Sequence, residues 1–244
     1  MRKNEIAKDF RSLSGFLQNW DNNVNNPRIL YKIAFNKIDD GKSIDYSILK
    51  SEPLIFNNID IERHSIPKGI EKIPKEDIMS KVKLTAQCRE KTQPSNNEDP
   101  LEGLGVSILT EITFEENNKF RNLIYSLHLD KGGDLKADYL HPEYHLNFGG
   151  IHMCEKGDVY GDLFLMPTPR IMHPPMDIIL SCDFIVRNFY KRENHKKLTQ
   201  NPSYINLINR AKDRFWQPYS NALASKWINS EISNLPYSVL TGHI

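Results

Sequence analysis

The chain has little of what most readily announces a function. Its 244 residues include three cysteines, Cys88, Cys154 and Cys182, which lie far apart and form no CxxC. That count argues against a disulfide framework or a cysteine-rich zinc site and fits a reducing compartment. No run approaches the roughly 20 apolar residues of a membrane span, so no membrane association is expected. Met1-Arg2-Lys3-Asn4-Glu5 leads into an amphipathic stretch, not the apolar core of a secretion signal. Glycine makes no GxGxxG or GxxxxGKS/T phosphate cradle; Gly132-Gly133 and Gly149-Gly150 are turn glycines. Neither sign of charge dominates, with 32 Lys and Arg against 31 Asp and Glu and a net charge of +1. This balance excludes a protein whose whole surface grips nucleic acid and leaves only a local basic patch open. No internal repeat is present. The expectation is a cytoplasmic protein.

What is there is a globular composition, 39% hydrophobic and 26% charged. Ile6, Phe10, Leu13, Leu17 and Trp20 recur at three and four, predicting a helix over 4–21. Ile29 to Phe35 reads as a strand, Ser43 as the cap of a helix over 44–50, and 51–74 shows no sustained period. Val82, Leu84, Ala86 and Cys88 alternate with Lys81, Lys83, Thr85 and Gln87, a strand within 77–90. Residues 91–100 form a polar loop, the best candidate for a mobile segment. Further strands are expected over 105–114, 120–130, 139–150 and 162–166. A proline-rich connector follows, then an apolar helix over 175–191 and a long helix over 203–229 that Pro218 should kink or split. Strands in the middle and helices at both ends predict an α+β fold: a central antiparallel sheet with N-terminal and C-terminal helices packed on it. The expected organisation is a single domain over 1–244, with 175–244 open to being a helical C-terminal subdomain.

The two central strands carry the chemistry. In 120–130, Leu123, Tyr125, Leu127 and Leu129 share one face, and Ser126, His128 and Asp130 the other. In 139–150, Leu140, Tyr144, Leu146 and Phe148 oppose His141, Glu143, His145 and Asn147. If these strands pair, three histidines and their carboxylates gather on one surface. Candidate catalytic residues are therefore His128, Asp130, His141 and His145, with Arg170 in a constrained proline-flanked loop as an anion-binding group. An ordinary half-exposed polar face, general acid–base chemistry and a metal site all remain open. Histidine with carboxylate suits zinc, manganese or iron. However, His141 and His145 stand about 13 Å apart on a regular strand, too far for one ion. Parity allows His128 opposite His141, or His128 opposite His145. Composition names neither a metal nor a cofactor, so both stay unknown.

Between 187 and 226, nine Lys and Arg residues outnumber Glu193 and Asp213, with Tyr190, Tyr204 and Trp216 among them. Basic residues interleaved with aromatics suit a nucleic-acid surface and equally suit the solvated face of two helices.

The segments His141-Pro-Glu-Tyr-His145-Leu-Asn-Phe-Gly149, Pro169-Arg170-Ile171 and Asp183-Phe-Ile-Val-Arg187-Asn188-Phe-Tyr190 resemble a family of uncharacterised bacterial proteins. That family carries an HPxxHLxxG strand, an Arg-Ile-Pro turn and a helix ending in an FIxRNFY-like sequence. The match covers about 120–191, and Met172 departs from the family's proline. The resemblance implies a bacterial cytoplasmic protein similar to those of mobile or phage-defence gene clusters. It groups His141, His145, Arg170, Asp183, Arg187 and Asn188 as a network that would fix strand against helix.

These features lead to one expectation and one alternative. The expectation is a component of a nucleic-acid-related defence or toxin system, with His128 or His145 as general acid or base. The alternative is a non-catalytic accessory subunit, docking on a partner protein through Trp20, Trp216, Trp227 and the 91–100 loop.

Overall fold

The computed structural model describes residues 2–21, 23–38, 41–60, 79–95, 98–116, 118–132, 144–149 and 171–229. In chain order these residues form α1 (Arg2–Gln18), β1 (Val24–Asn25), α2 (Ile29–Lys32), β2 (Asn36–Ile38), β3 (Ser43–Ile48), β4 (Leu54–Asn57) and β5 (Met79–Lys91). There follow β6 (Leu101–Glu116), β7 (Lys119–Lys131), β8 (Tyr144–Phe148), β9 (Ile171–Met172), α3 (Ile178–Phe189), α4 (Arg192–Thr199) and α5 (Pro202–Asn229). The strands make one antiparallel sheet in the order β1-β4-β5-β6-β7-β8-β9, with β3 also on β5 and β2 on β3. The fold is α+β, with helices from both ends of the described chain packed on a central antiparallel sheet.

Alternation builds the sheet. Leu84, Ala86 and Cys88 of β5 stand level with Ile108, Val106 and Leu104 of β6, and Ile108 and Val106 with Leu127 and Leu129 of β7. All are buried in one core with Phe10 and Leu13 of α1, Ile179 and Ile185 of α3, and Leu207 and Phe215 of α5. Asn118 (φ 59°) takes the left-handed conformation at the β6–β7 turn, which asparagine tolerates better than most residues.

β3 and β4 pair with the same edge of β5. Ile48 faces Ala86 and Leu54 faces Leu84. They act as one strand interrupted by 49–53, where Pro53 cannot donate to a ladder.

Three expectations change. The helix foreseen over 44–50 is strand β3: Ile44, Tyr46 and Ile48 are buried and Asp45 and Ser47 are not. That is a period of two, and the open edge of β5 completes its hydrogen bonds. The strand foreseen over 29–35 contains the short helix α2. Pro27 opens its turn, its carbonyl accepts from Ser14 Oγ (2.7 Å), and Ile29 and Leu30 are buried. Finally, Pro218 lies inside α5 without splitting it. α4 emerges where no helix was foreseen, and the strand expected over 162–166 lies outside the described residues.

Ions bind the helical layer together. Asp9 of α1 accepts from Arg210 Nη2 (2.7 Å) and Arg214 Nη1 (2.8 Å) of α5. Arg214 Nη2 stands 3.8 Å from Asp177 Oδ2. Asp177 caps α3 by accepting from the Leu180 amide (2.9 Å). Burial pushes the Asp177 carboxyl up, and Arg214 opposes that shift. On α3, Arg187 Nε donates to Asp183 (2.9 Å), which also accepts from Tyr204 Oη of α5 (3.1 Å). Asp183 thus ties α3 to α5 through Tyr204; of the strand-to-helix network expected from the resemblance, His141 and Arg170 lie outside the described residues.

Candidate functional site

The two central strands do pair. His128 faces Asn147, Leu129 faces Leu146, Asp130 faces His145 and Lys131 faces Tyr144. Neither of the two registers foreseen for His128 is adopted. The parity argument nevertheless holds for these residues: Leu129 and Leu146 share the core face, so His128, Asp130, His145 and Asn147 share the other. The Gly149 amide donates to the Ser126 carbonyl (2.8 Å), making 126–149 a hydrogen-bonded pair. Alternation puts the His128–Asn147 and Asp130–His145 rows in the same class, with Cα atoms about 5.5 Å apart. His128 and His145 are diagonal neighbours, about 7–8 Å apart.

This outer face is drier than an ordinary exposed sheet. His145 is 1% exposed and Ser126 is fully buried, while His128 and Asp130 are half-buried. Ser126 Oγ lies 2.9 Å from His128 Nε2, so the hydroxyl orients the ring along the strand. Gly105 of β6 stands opposite Asp130 and Ser107 opposite His128. A carboxylate directly across from an imidazole can fix its tautomer and stabilise its protonated form. A second imidazole on the same face can serve as the complementary acid or base.

Among the sequence candidates, His128, Asp130 and His145 come together; His141 and Arg170 lie outside the described residues. Among the described residues no group of three His, Cys, Asp or Glu side chains is placed to hold a metal ion. Cys88 and Cys182 are free, buried thiols whose burial pushes them well above the ordinary range.

The basic stretch divides in two. Arg187, Arg210 and Arg214 are engaged with Asp183 and Asp9. Tyr190 and Tyr204 are buried and bonded to Asn57 O and Asp183, and Trp216 Nε1 donates to Pro175 O (2.8 Å). These aromatics belong to the packing and do not form a stacking platform. Lys191, Arg192, Lys196 and Lys197 on α4 and its cap are exposed, and Arg187 and Arg210 are exposed beside their carboxylate partners. Trp20 is likewise buried, donating to Asn194 O (3.0 Å), which removes it from the docking surface foreseen for a partner.

One constellation was not read in the sequence. Asp99, in the loop expected to be mobile, accepts from Lys131 Nζ (2.6 Å) and from Tyr144 Oη (2.7 Å). A carboxylate in a polar loop carries no signal of partners so distant in sequence.

No family model, curated protein or solved structure matches the chain.

Proposed function

We propose that the outer face of β7 and β8 is an acid–base site acting on phosphate esters of nucleic acid, in a bacterial cytoplasmic defence or toxin system. The observation that carries this reading is the Asp130–His145 row, with His128 on the same face and held by Ser126. In the proposed reaction one imidazole takes the proton of the attacking hydroxyl or water. A bond forms from that oxygen to phosphorus, and the other imidazole protonates the leaving oxygen as its bond to phosphorus breaks. Asp130 stabilises the imidazolium opposite it. The family resemblance supports the bacterial setting; the exposed cations Lys191, Arg192, Lys196 and Lys197 belong to the helical layer on the core side of the sheet and are not part of this site.

The test is cleavage of RNA, single-stranded DNA and duplex DNA by purified protein, with and without added divalent metal. The expected result is cleavage of at least one substrate and its loss by a factor of about 100 or more in His145→Asn, in a variant that still unfolds cooperatively well above the assay temperature. No cleavage by the parent, or equal cleavage by the variant, would overturn the reading.

The alternative, an accessory subunit docking on a partner protein, draws on a different surface from the one expected. Phe120 is 69% exposed and Met79 64% exposed, both toward the end of the long strands remote from the Asp130–His145 row. Co-purification with a partner that is lost in Phe120→Ser, together with a dispensable His145, would favour it.

A further inference from the structure

Asp99 accepts from both ends of the chain that leaves and re-enters the β7–β8 pair. Lys131, the last residue of β7, places Nζ 2.6 Å from Asp99 Oδ2 and also donates to the Leu101 carbonyl. Tyr144, the first residue of β8, places its hydroxyl 2.9 and 2.7 Å from the two Asp99 oxygens. The Lys131 ammonium sits 5.4 Å from the centre of the Tyr144 ring, and that ring meets Tyr219 of α5 edge-on at 5.2 Å. The Leu101 amide donates back to Asp99 Oδ1 (3.1 Å), fixing the carboxylate from its own segment. Tyr144 is fully buried. A charge-assisted pair in such a setting is held much more firmly than one in water.

Lys131 and Tyr144 form the terminal row of the β7–β8 ladder, and Asp130 with His145 form the next. Successive rows project to opposite faces, so Asp99 works on the core side while the imidazole and carboxylate stand on the outer side. Asp99 therefore touches neither of them. Its influence runs through the backbone: a slip of one residue would send His145 to the wrong face of the sheet. The ladder has five rows, few enough that side-chain bonds at its Lys131–Tyr144 row weigh on the register.

We propose that Asp99 is a positioning residue, a clasp on the Lys131–Tyr144 row, where the chain leaves β7 and re-enters β8, that keeps His145 opposite Asp130. The segment from 91 to 100 thereby governs the geometry of the acid–base face from the far side of the sheet. Its functional consequence rests on the proposed role of that face, whereas the register it enforces does not.

The experiment compares wild type with Asp99→Ala and Asp99→Asn by amide hydrogen exchange and by the side-chain NMR signals of His145 and His128. Asp99→Asn retains an acceptor for Tyr144 and loses the ion pair with Lys131. The clasp predicts a gradient in Asp99→Ala: exchange about tenfold faster at His145, less change at Asn147, and none in β5. The His145 signal should move more than that of His128, and Asp99→Asn should fall between parent and alanine. Uniform acceleration across β5, β6 and β7, or no change at His145, would overturn the proposal. A gradient as predicted, with cleavage unaltered in Asp99→Ala, would uphold the clasp and count against the catalytic reading of the face it positions.

Discussion

The two faces of the sheet bury polar groups in different ways. On the core side, Asp9, Asp177 and Arg214 lie between α1, α3 and α5, and each charge has an opposite charge beside it. Asp9 is 3% exposed and takes two guanidinium groups, an arrangement that locks helices together and offers nothing to a substrate. On the outer side, Ser126, His128, Asp130 and His145 come from two strands, and two of them stay half open to solvent. The comparison teaches that burial alone does not mark a working site. The core cluster is buried and sets each carboxylate beside a guanidinium, whereas the outer row sets a carboxylate opposite an imidazole with a second imidazole on the same face.

If this distinction is right, mutations on the two faces should separate stability from activity. The largest effect belongs to the core. Asp9→Ala removes the carboxylate that accepts from both Arg210 and Arg214, leaving Arg214 with Asp177 at 3.8 Å, and should cost about 3 kcal/mol of stability, read by denaturant unfolding. Asp130→Asn on the outer face should cost about 1 kcal/mol or less. Equal losses would erase the comparison.

A smaller effect comes from His195 of α4, which is buried with Nδ1 3.1 Å from Thr199 Oγ1. Burial first, and then the Arg187 guanidinium, pull its pKa below the ordinary value of 6.5. The unfolded chain therefore binds this proton more readily than the folded one. The stabilisation is present above about pH 6.5 and declines as pH falls through that value toward the folded pKa. Unfolding measured between pH 7 and 5 should show this decline, and His195→Asn should flatten it. A variant whose pH dependence matches the parent would remove His195 from the account.

How much of this was legible in the sequence depends on how local the cause is. The alternation in β5 and β7 exposed both the strands and the outer face, because period and parity are local properties. β3 was misread although Ser43-Ile-Asp-Tyr-Ser-Ile48 alternates just as well: a six-residue run is short, and a serine before it also suits a helix cap. α2 was missed because Ile29 and Leu30 are shaped by packing under α1, which outweighs their strand preference. The register of β8 was open, since parity allowed several, and the choice is made by Leu129 meeting Leu146 and by the Asp99 clasp. Asp9 with Arg214, 205 residues apart, and Asp99 with Tyr144, 45 apart, are joined only by the fold. No spacing rule reaches them. In the basic stretch, likewise, nothing local shows that Arg210 and Arg214 stand beside a carboxylate on α1.

The central claim, that Asp130 and His145 work as a unit, is tested most directly by a double-mutant cycle on nucleic-acid cleavage. Asp130→Asn, His145→Asn and the combined variant are compared under single-turnover conditions, with folding checked by thermal unfolding. The account predicts that the double variant is no slower than the slower single variant, because each change disables the same pair. Losses that multiply would mean the two side chains act independently, and the row they form would then be structural coincidence.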